Sequence, residues 1–314
     1  MSTPTEMSSL ETALEAASSP VDHLKSNKIG PYVFPVVDPE YSNWRDEQLA
    51  WRESAALLNQ SHHMFDLYVE GPDAVDLLAD LGINDFSDFT VNDAMQFVAC
   101  NPDGHLIGDA ILFFLDEDRL NLVGTPIAAD WVQYNAVTGD YDVSVEMDPP
   151  SHIREGPPSV FRYQIQGPNA LPLMEEATDD DLPEVPFFRI GEFTIAGHTV
   201  RGLRHSMSGE PGFELFGPWE HSEEVKDTIM EVGGKYDLHL VGSRAYQTSG
   251  LGSGWMPLPL PAIYDHVELQ GYREWLTENH IETMASLGGS FESDDISDYY
   301  ITPYENGVWP FRRF

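Results

Sequence analysis

Basic residues are scarce in this chain. Of its 314 residues only 16 are lysine or arginine, against 53 acidic ones, a formal charge of -37. The lysines are Lys25, Lys28, Lys226 and Lys235 alone. Phosphate recognition relies on clustered cations, so a nucleic-acid partner is excluded. Cysteine occurs once, at Cys100, which excludes an internal disulfide and a multi-cysteine zinc or iron-sulfur site. Within QFVAC its expected place is a buried strand. No apolar run reaches the roughly twenty residues that span a bilayer, and the opening MSTPTEMSSLETALEAASSP has no hydrophobic signal core. A cytoplasmic protein with no membrane partner is expected. Acid is spread along most of the chain, a pattern suited to concentrated salt, where screening removes self-repulsion. A halophilic cytoplasm follows as an expectation.

Apolar material is sufficient: 41% of the residues are hydrophobic, and the length suits two or three compact domains. Residues 1–28 read as a mobile tail with at most a short helix. PYVFPVV is an extended apolar segment, and Ser42 is placed to cap a helix carrying Trp44, Trp51, Ala55 and Leu58 at helical spacing, ending at NQSHHM. One phrase occurs twice. LYVEGPDAVDLL (67–78) returns as YQIQGPNALPLM (163–174), each a strand, a Gly-Pro turn at Gly71 or Gly167, and an apolar helix. Two such units argue for an α+β fold of two related strand-helix halves, each sheet covered by helices on one face. Beyond Pro257 the chain turns proline-rich and loop-like.

HSMSGEPGFELFGP (205–218) reads as a tight turn followed by a short strand in which Glu214 lies between apolar neighbours. Such a carboxylate either points to solvent from a half-buried strand or has a functional partner. Tyr246, in VGSRAYQTSGLGSGW, reads by itself as a core tyrosine on a helix face. Asp109 is either a turn cap or a ligand contact. His62 and His63 read as one core and one surface histidine, and no further ligands at metal spacing accompany them, so no metal site is expected.

SGEPGFEL resembles the TGExGFEI signature of the glycine-cleavage T-protein (aminomethyltransferase) superfamily, and VGSRAYQTSGLGSGW stands where that superfamily has its GLGARDSLRLEAG helix. GPYVFPVVDPEYSNWRDEQLAWR, NQSHHM, GHLIGDAILFFLDE, RYQIQGP and DYYITPYE are similar to one branch, the tetrahydrofolate-dependent O-demethylases acting on aryl ethers such as vanillate and 3-O-methylgallate. The resemblance runs from about residue 28 to 306, and motifs this numerous and collinear are specific.

The resemblance implies the T-protein-like folate-binding fold, with residues 29–60 and 151–265 as a discontinuous folate-binding domain and 61–150 as a second α+β domain. Residues 266–314 then lead towards the family's C-terminal β-barrel, which is expected to be absent here and supplied, if at all, by a separate chain. It further implies a small-molecule methyl donor and tetrahydrofolate, whose N5 receives the methyl group. Glu214 aligns with the signature glutamate that orients the pterin through two charge-assisted hydrogen bonds. Tyr246 takes the position of the proton donor to the leaving oxygen. The resemblance also implies that Trp255, His63 and Gln60 wall the reactants, His63 and Gln60 on the substrate side. Asp109 falls in the paired-acid motif of the folate side, whose first acid is Gly108 here. Two positions depart from the branch: Phe34 replaces a tyrosine and Thr125 an arginine, both near the carboxylate of an aromatic acid, so a neutral or differently anchored donor is expected. The alternatives are aminomethyl transfer and a non-catalytic folate-binding module; RAY in place of ARD argues against the first.

Overall fold

The fold is that of a computed structural model, which describes residues 8–30, 32–207, 209–253 and 258–307, without the side chains of 249–253. Ser9 and Ser19 each accept a backbone N–H and so cap two short helices, α1 (Leu10–Ala16) and α2 (Pro20–Ser26). Asn43 caps α3 (Trp44–Glu53), which is followed by strands β1 (Ala55–Asn59) and β2 (Phe65–Glu70) and helix α4 (Ala74–Leu81). Strands β3 (Ala94–Cys100), β4 (Leu106–Asp116) and β5 (Arg119–Gly124) precede helix α5 (Pro126–Thr138) and strand β6 (Ser144–Asp148). The second half opens with β7 (Val160–Gln166) and α6 (Ala170–Ala177), then β8 (Ile190–Ile195), β9 (His198–Arg204) and β10 (Gly212–Pro218). Helix α7 (Ser222–Gly233), strand β11 (Leu238–Val241) and helix α8 (Ser243–Ser253) follow, with α9 (Gln270–Trp275) and α10 (Ile281–Met284) beyond.

The strands form two sheets, one in the order β11-β1-β7-β10-β9-β8 and one in the order β3-β4-β5-β2-β6. Alternation along each strand sets two faces. In the first sheet Phe161, Tyr163, Ile165, Phe213 and Leu215 share a core with Leu173 and Met174 of α6 and Val225 and Ile229 of α7. In the second, Leu67, Leu112, Leu120 and Leu122 pack with Leu77 and Leu78 of α4 and Val132 of α5. The remaining faces meet each other. Phe113 and Val123 of one sheet cluster with Leu203 and Phe216 of the other, and the Phe113 and Phe216 rings lie edge-to-face at 5.4 Å.

The repeated phrase is a repeated structure. Gly71 and Gly167 end β2 and β7 with φ of +143° and +129°, and a Cβ at either would fall 2.2 or 2.4 Å from a backbone carbonyl oxygen. Only glycine fits such a close approach. The mixed α+β architecture with two helix-covered sheets agrees with the reading from sequence.

Four local expectations are corrected. Ala55–Asn59 is a buried strand rather than the end of a helix, and the cap of α3 is Asn43 rather than Ser42. A short, fully buried strand has no polar alternation to distinguish it from a core helix. Residues 9–27 are not a loose tail: Leu10 and Leu24 are fully buried, Leu10 N–H donates to Leu276 C=O at 2.9 Å, and Asn27 donates to the Thr283 and Ala285 carbonyls. A few apolar residues spaced along a polar stretch are enough to dock two short helices when a groove awaits them. Cys100 is partly rather than fully buried, although burial still pushes its thiol up to about 11.

Candidate active site

The face of the first sheet opposite its core is polar and yet buried. Strand alternation puts Arg162, Gln164 and Gln166 of β7 on that face with Glu214 of β10, whose backbone lies directly across from Gln164. Glu214 is 5% exposed, which excludes the solvated alternative. Its partner is Arg162, 1% exposed, which donates from Nη1 to Glu214 Oε1 at 2.6 Å and from Nη2 to Asp66 Oδ1 of the facing sheet at 2.5 Å. Asn121 Nδ2 also donates to Asp66 Oδ1, at 2.8 Å. Burial opposes the guanidinium charge, but Asp66 and Glu214 outweigh it and hold the arginine protonated more firmly than usual.

The turn that leads into Glu214 is fastened by Gln166, which accepts Met207 N–H at 2.7 Å and donates to His205 C=O at 3.0 Å. A Cβ at Gly212 would lie 2.2 Å from Ile165 C=O, so the entry to β10 depends on glycine.

Tyr246 reaches the same region from α8. Burial raises its phenol well above the usual range, the neighbouring Glu214 carboxylate adds to the rise, and a hydrogen bond from Gln60 partly offsets both. The hydroxyl therefore stays protonated. The Tyr246 ring lies edge-on to Phe34 at 5.4 Å and to His63 at 5.3 Å, and Phe34 and His63 are 4.6 Å apart. Tyr32 extends the group, 5.1 Å from Phe34, with its hydroxyl donating to His63 C=O at 3.4 Å. Burial pushes the His63 imidazole down to about 3, with His62 and Arg162 acting in the same direction, so it is neutral. Neither histidine is a surface residue: His62 is also buried, paired through Nδ1 with Ser151 Oγ at 2.9 Å.

Helix α8 is set by a buried carboxylate on α3. Glu47, 0% exposed, accepts from Tyr41 N–H and Ser42 N–H at 2.7 Å each, and from Gly242 N–H at 2.9 Å. A Cβ at Gly242 would meet Pro39 C=O at 2.5 Å, which shows how closely the loop and the helix start are packed.

Several buried polar atoms here have no protein partner: Gln60 Oε1, both ring nitrogens of His63, Gln164 Nε2 and Ser206 Oγ. Interior polar groups are rarely left unpaired, and a group of them beside a carboxylate and a neutral phenol suits a ligand with donors, acceptors and flat rings. A pterin and an aromatic donor have those properties.

Gln60, His63, Tyr246 and Glu214 are thus brought together. Asp109 lies on the second sheet, bonded to Gln96 Nε2 at 2.8 Å, on the strand face that also carries Phe113. Trp255 lies outside the described residues. Thr125 occupies the N-cap position of α5, directly after Gly124, which pairs with Phe65 of β2. Phe34, expected from the resemblance to lie on the donor side, does pack against His63 and Tyr246, while Arg162, Gln164 and Glu47 complete the arrangement and were not singled out as parts of a site from the sequence. For Arg162 a signal was present: FRYQIQ alternates apolar and polar residues, which puts one arginine and two glutamines on a single strand face.

Comparison with known proteins gives a consistent picture. Residues 27–257 match the GCVT N-terminal domain. The chain is 42% identical over 300 residues to syringate O-demethylase of Sphingobium sp. (strain NBRC 103272 / SYK-6), covering 95% of this chain and 65% of that protein. It is 29% identical to sesamin methylene transferase of Sinomonas sp. (strain No.22), over 88% of this chain and 60% of the other, and 31% identical to the aminomethyltransferase of Thermoanaerobacter sp. (strain X514), over 68% and 56%. This chain therefore spans about two thirds or less of these relatives. Among solved structures, the glycine cleavage system aminomethyltransferase T of Bartonella henselae superposes with a TM-score of 0.57 at 22% identity, over 73% of this chain and 60% of that one, a likeness of fold. The two buried sheet faces, strand β10 with its Glu214 and the matched domain agree: this chain belongs to the GCVT domain family of the T-protein superfamily.

Proposed function

We propose that this chain carries the methyl-transfer site of a tetrahydrofolate-dependent methyltransferase that demethylates a small methyl ether. The observation that carries this reading is a protonated Tyr246 phenol packed edge-on to His63 and Phe34, within electrostatic reach of the buried Glu214 carboxylate and beside unpartnered polar atoms of Gln60 and His63. When bound, tetrahydrofolate supplies N5 as the methyl acceptor. Glu214 offers acceptor oxygens that match the paired N–H donors of a pterin edge. Tyr246 delivers a proton to the ether oxygen as the methyl carbon leaves it, so that a neutral phenol rather than a phenolate departs. His63, neutral, and Phe34 present ring faces and edges against which an aromatic donor stacks. The low-dielectric surroundings strengthen these interactions and hold the reactants in line.

Phe34 and Thr125 stand where the resembled branch has a tyrosine and an arginine, so the donor is anchored differently from a benzoate gripped by a guanidinium fork. Asp109 and Trp255 belong in this reading to the folate side. The acidic composition fits a cytoplasm of high salt. Among the described residues no helix is long and apolar enough to cross a membrane.

Calorimetric titration with tetrahydrofolate, followed by incubation with a panel of methyl ethers that includes syringate, tests the proposal. The expected products are 5-methyltetrahydrofolate and the demethylated phenol in equal amounts. Methylenetetrahydrofolate formed only from an aminomethyl carrier would instead indicate glycine-cleavage chemistry, and binding without turnover on any donor would indicate a binding module.

A further inference from the structure

We propose that Arg162 is a positioning residue for the site, holding Glu214 as a fixed acceptor and tying its placement to the second sheet through Asp66. The inference rests on the reading of Glu214 as the pterin-orienting group. Arg162 projects from β7 into the layer between the sheets, with its guanidinium carbon 5.3 Å from the Phe113 ring centre and 5.4 Å from that of Phe216. The two rings come from opposite sheets and leave the planar group little freedom. Its two terminal nitrogens engage two carboxylates on different sheets, at 2.6 Å and 2.5 Å. One buried cation therefore answers two buried anions.

Stability alone is a poor reason for such a triad. Taking three charges out of water is costly, and apolar side chains of similar volume fill an interior at least as well. What the triad does achieve is chemical definition. With Oε1 held by Nη1, the carboxylate plane of Glu214 is set. With the guanidinium donating to Oε1, that oxygen is held as a hydrogen-bond acceptor. A carboxylate left in this interior without its cation takes up a proton readily, and a carboxylic acid presents an O–H where the pterin edge already presents N–H.

A purely structural role and a positioning role differ in their proton linkage. In Arg162→Gln, Glu214 faces the ligand without its cation, so tetrahydrofolate affinity, measured by calorimetry from pH 6 to 8, should fall more steeply on acidification than in wild type. Repeating the titration in buffers of different ionisation enthalpy should show net proton release on binding. Wild type should show neither effect, with affinity changing less than about threefold. Asp66→Asn keeps the Arg162–Glu214 pair and should retain the flat profile. Arg162→Lys keeps a charge but not the fork; a flat profile with affinity lowered about tenfold is expected, and this variant decides the matter if Arg162→Gln does not fold. Parallel pH profiles in wild type and Arg162→Gln, or wild-type affinity in Arg162→Lys, would overturn the role of Arg162 while leaving the folate reading intact. A wild-type protein that binds no tetrahydrofolate would overturn both.

Discussion

The carboxylate of Glu47 on α3 accepts the backbone N–H of Gly242 at 2.9 Å, the residue immediately before the helix that carries Tyr246. Through Tyr41 and Ser42 the same carboxylate also holds the loop in front of α3. One buried side chain thus joins the entry of α8 to the segment that follows Phe34. Glu47→Ala leaves the buried Gly242 N–H and the part-buried Tyr41 and Ser42 N–H groups without their acceptor, and a buried orphaned donor costs about 1–3 kcal/mol before relaxation. A net loss of about 2–4 kcal/mol in urea unfolding is expected, with Glu47→Gln intermediate because its amide keeps one acceptor oxygen.

Phe34 touches both His63 and Tyr246, so its removal should be felt in the donor rather than in the folate. Phe34→Ala is expected to raise KM for the methyl donor by about tenfold, in keeping with about 0.5–1.5 kcal/mol for a lost aromatic pair plus the area it buried, while leaving tetrahydrofolate affinity within about threefold. Initial-rate kinetics with each substrate varied separately checks the split.

Acid should destabilise the site through His63. Its folded imidazole titrates near 3 because of burial, whereas an unfolded histidine titrates near about 6.5. The unfolded chain therefore binds the proton first, and stability present at neutral pH is lost as pH falls from about 6.5 towards 3. His63→Asn should flatten that part of the stability profile, as measured by thermal unfolding at pH 7, 6, 5 and 4.

The opposite sign is expected on the far side of the second sheet. Asp130 of α5 and Glu282 of α10 are both buried, and burial raises both carboxyls above the ordinary range, Asp130 further through the Glu282 charge. Here the folded state holds the proton more tightly than the unfolded one, so this pair contributes stability in mild acid that declines as pH rises from about 4 through neutrality. Glu282 Oε2 also has no hydrogen-bond partner. Glu282→Gln should stabilise the protein at pH 8 by about 1–2 kcal/mol, the scale of relieving an unpaired buried charge, and have little effect at pH 5.

The excess of acid predicts a salt requirement. With a formal charge of -37, self-repulsion is strongest in dilute buffer, and molar potassium chloride should raise the melting temperature and speed refolding. Equal stability at low and high ionic strength would contradict the halophilic reading.

Much of this arrangement was legible in the residues. The duplicated Gly-Pro phrase disclosed two related halves because both glycines must adopt a backbone that side chains forbid, and that constraint is written in the sequence. Glu214 was noticeable because a carboxylate between Phe213 and Leu215 is out of place in a core strand. Arg162 escaped notice because its partners, Asp66 and Glu214, lie 96 and 52 residues away, and only the packing of two sheets unites them. Ala55–Asn59 was misread because burial on both faces erases the period that distinguishes strand from helix. Glu47 looked like an ordinary helix-face acid, and nothing local indicates that a loop and a second helix close over it.

Tyr246 carries the proton transfer on which methyl release depends. Tyr246→Phe keeps the ring and its edge contacts to Phe34 and His63 and removes only the hydroxyl. In single-turnover reactions with saturating tetrahydrofolate and a methyl ether, the rate of 5-methyltetrahydrofolate formation should fall by about 10²–10⁴-fold, the usual contribution of a general acid, with folate affinity unchanged. A Tyr246→Phe protein that transfers the methyl group at the wild-type rate would contradict the assignment of the phenol as proton donor.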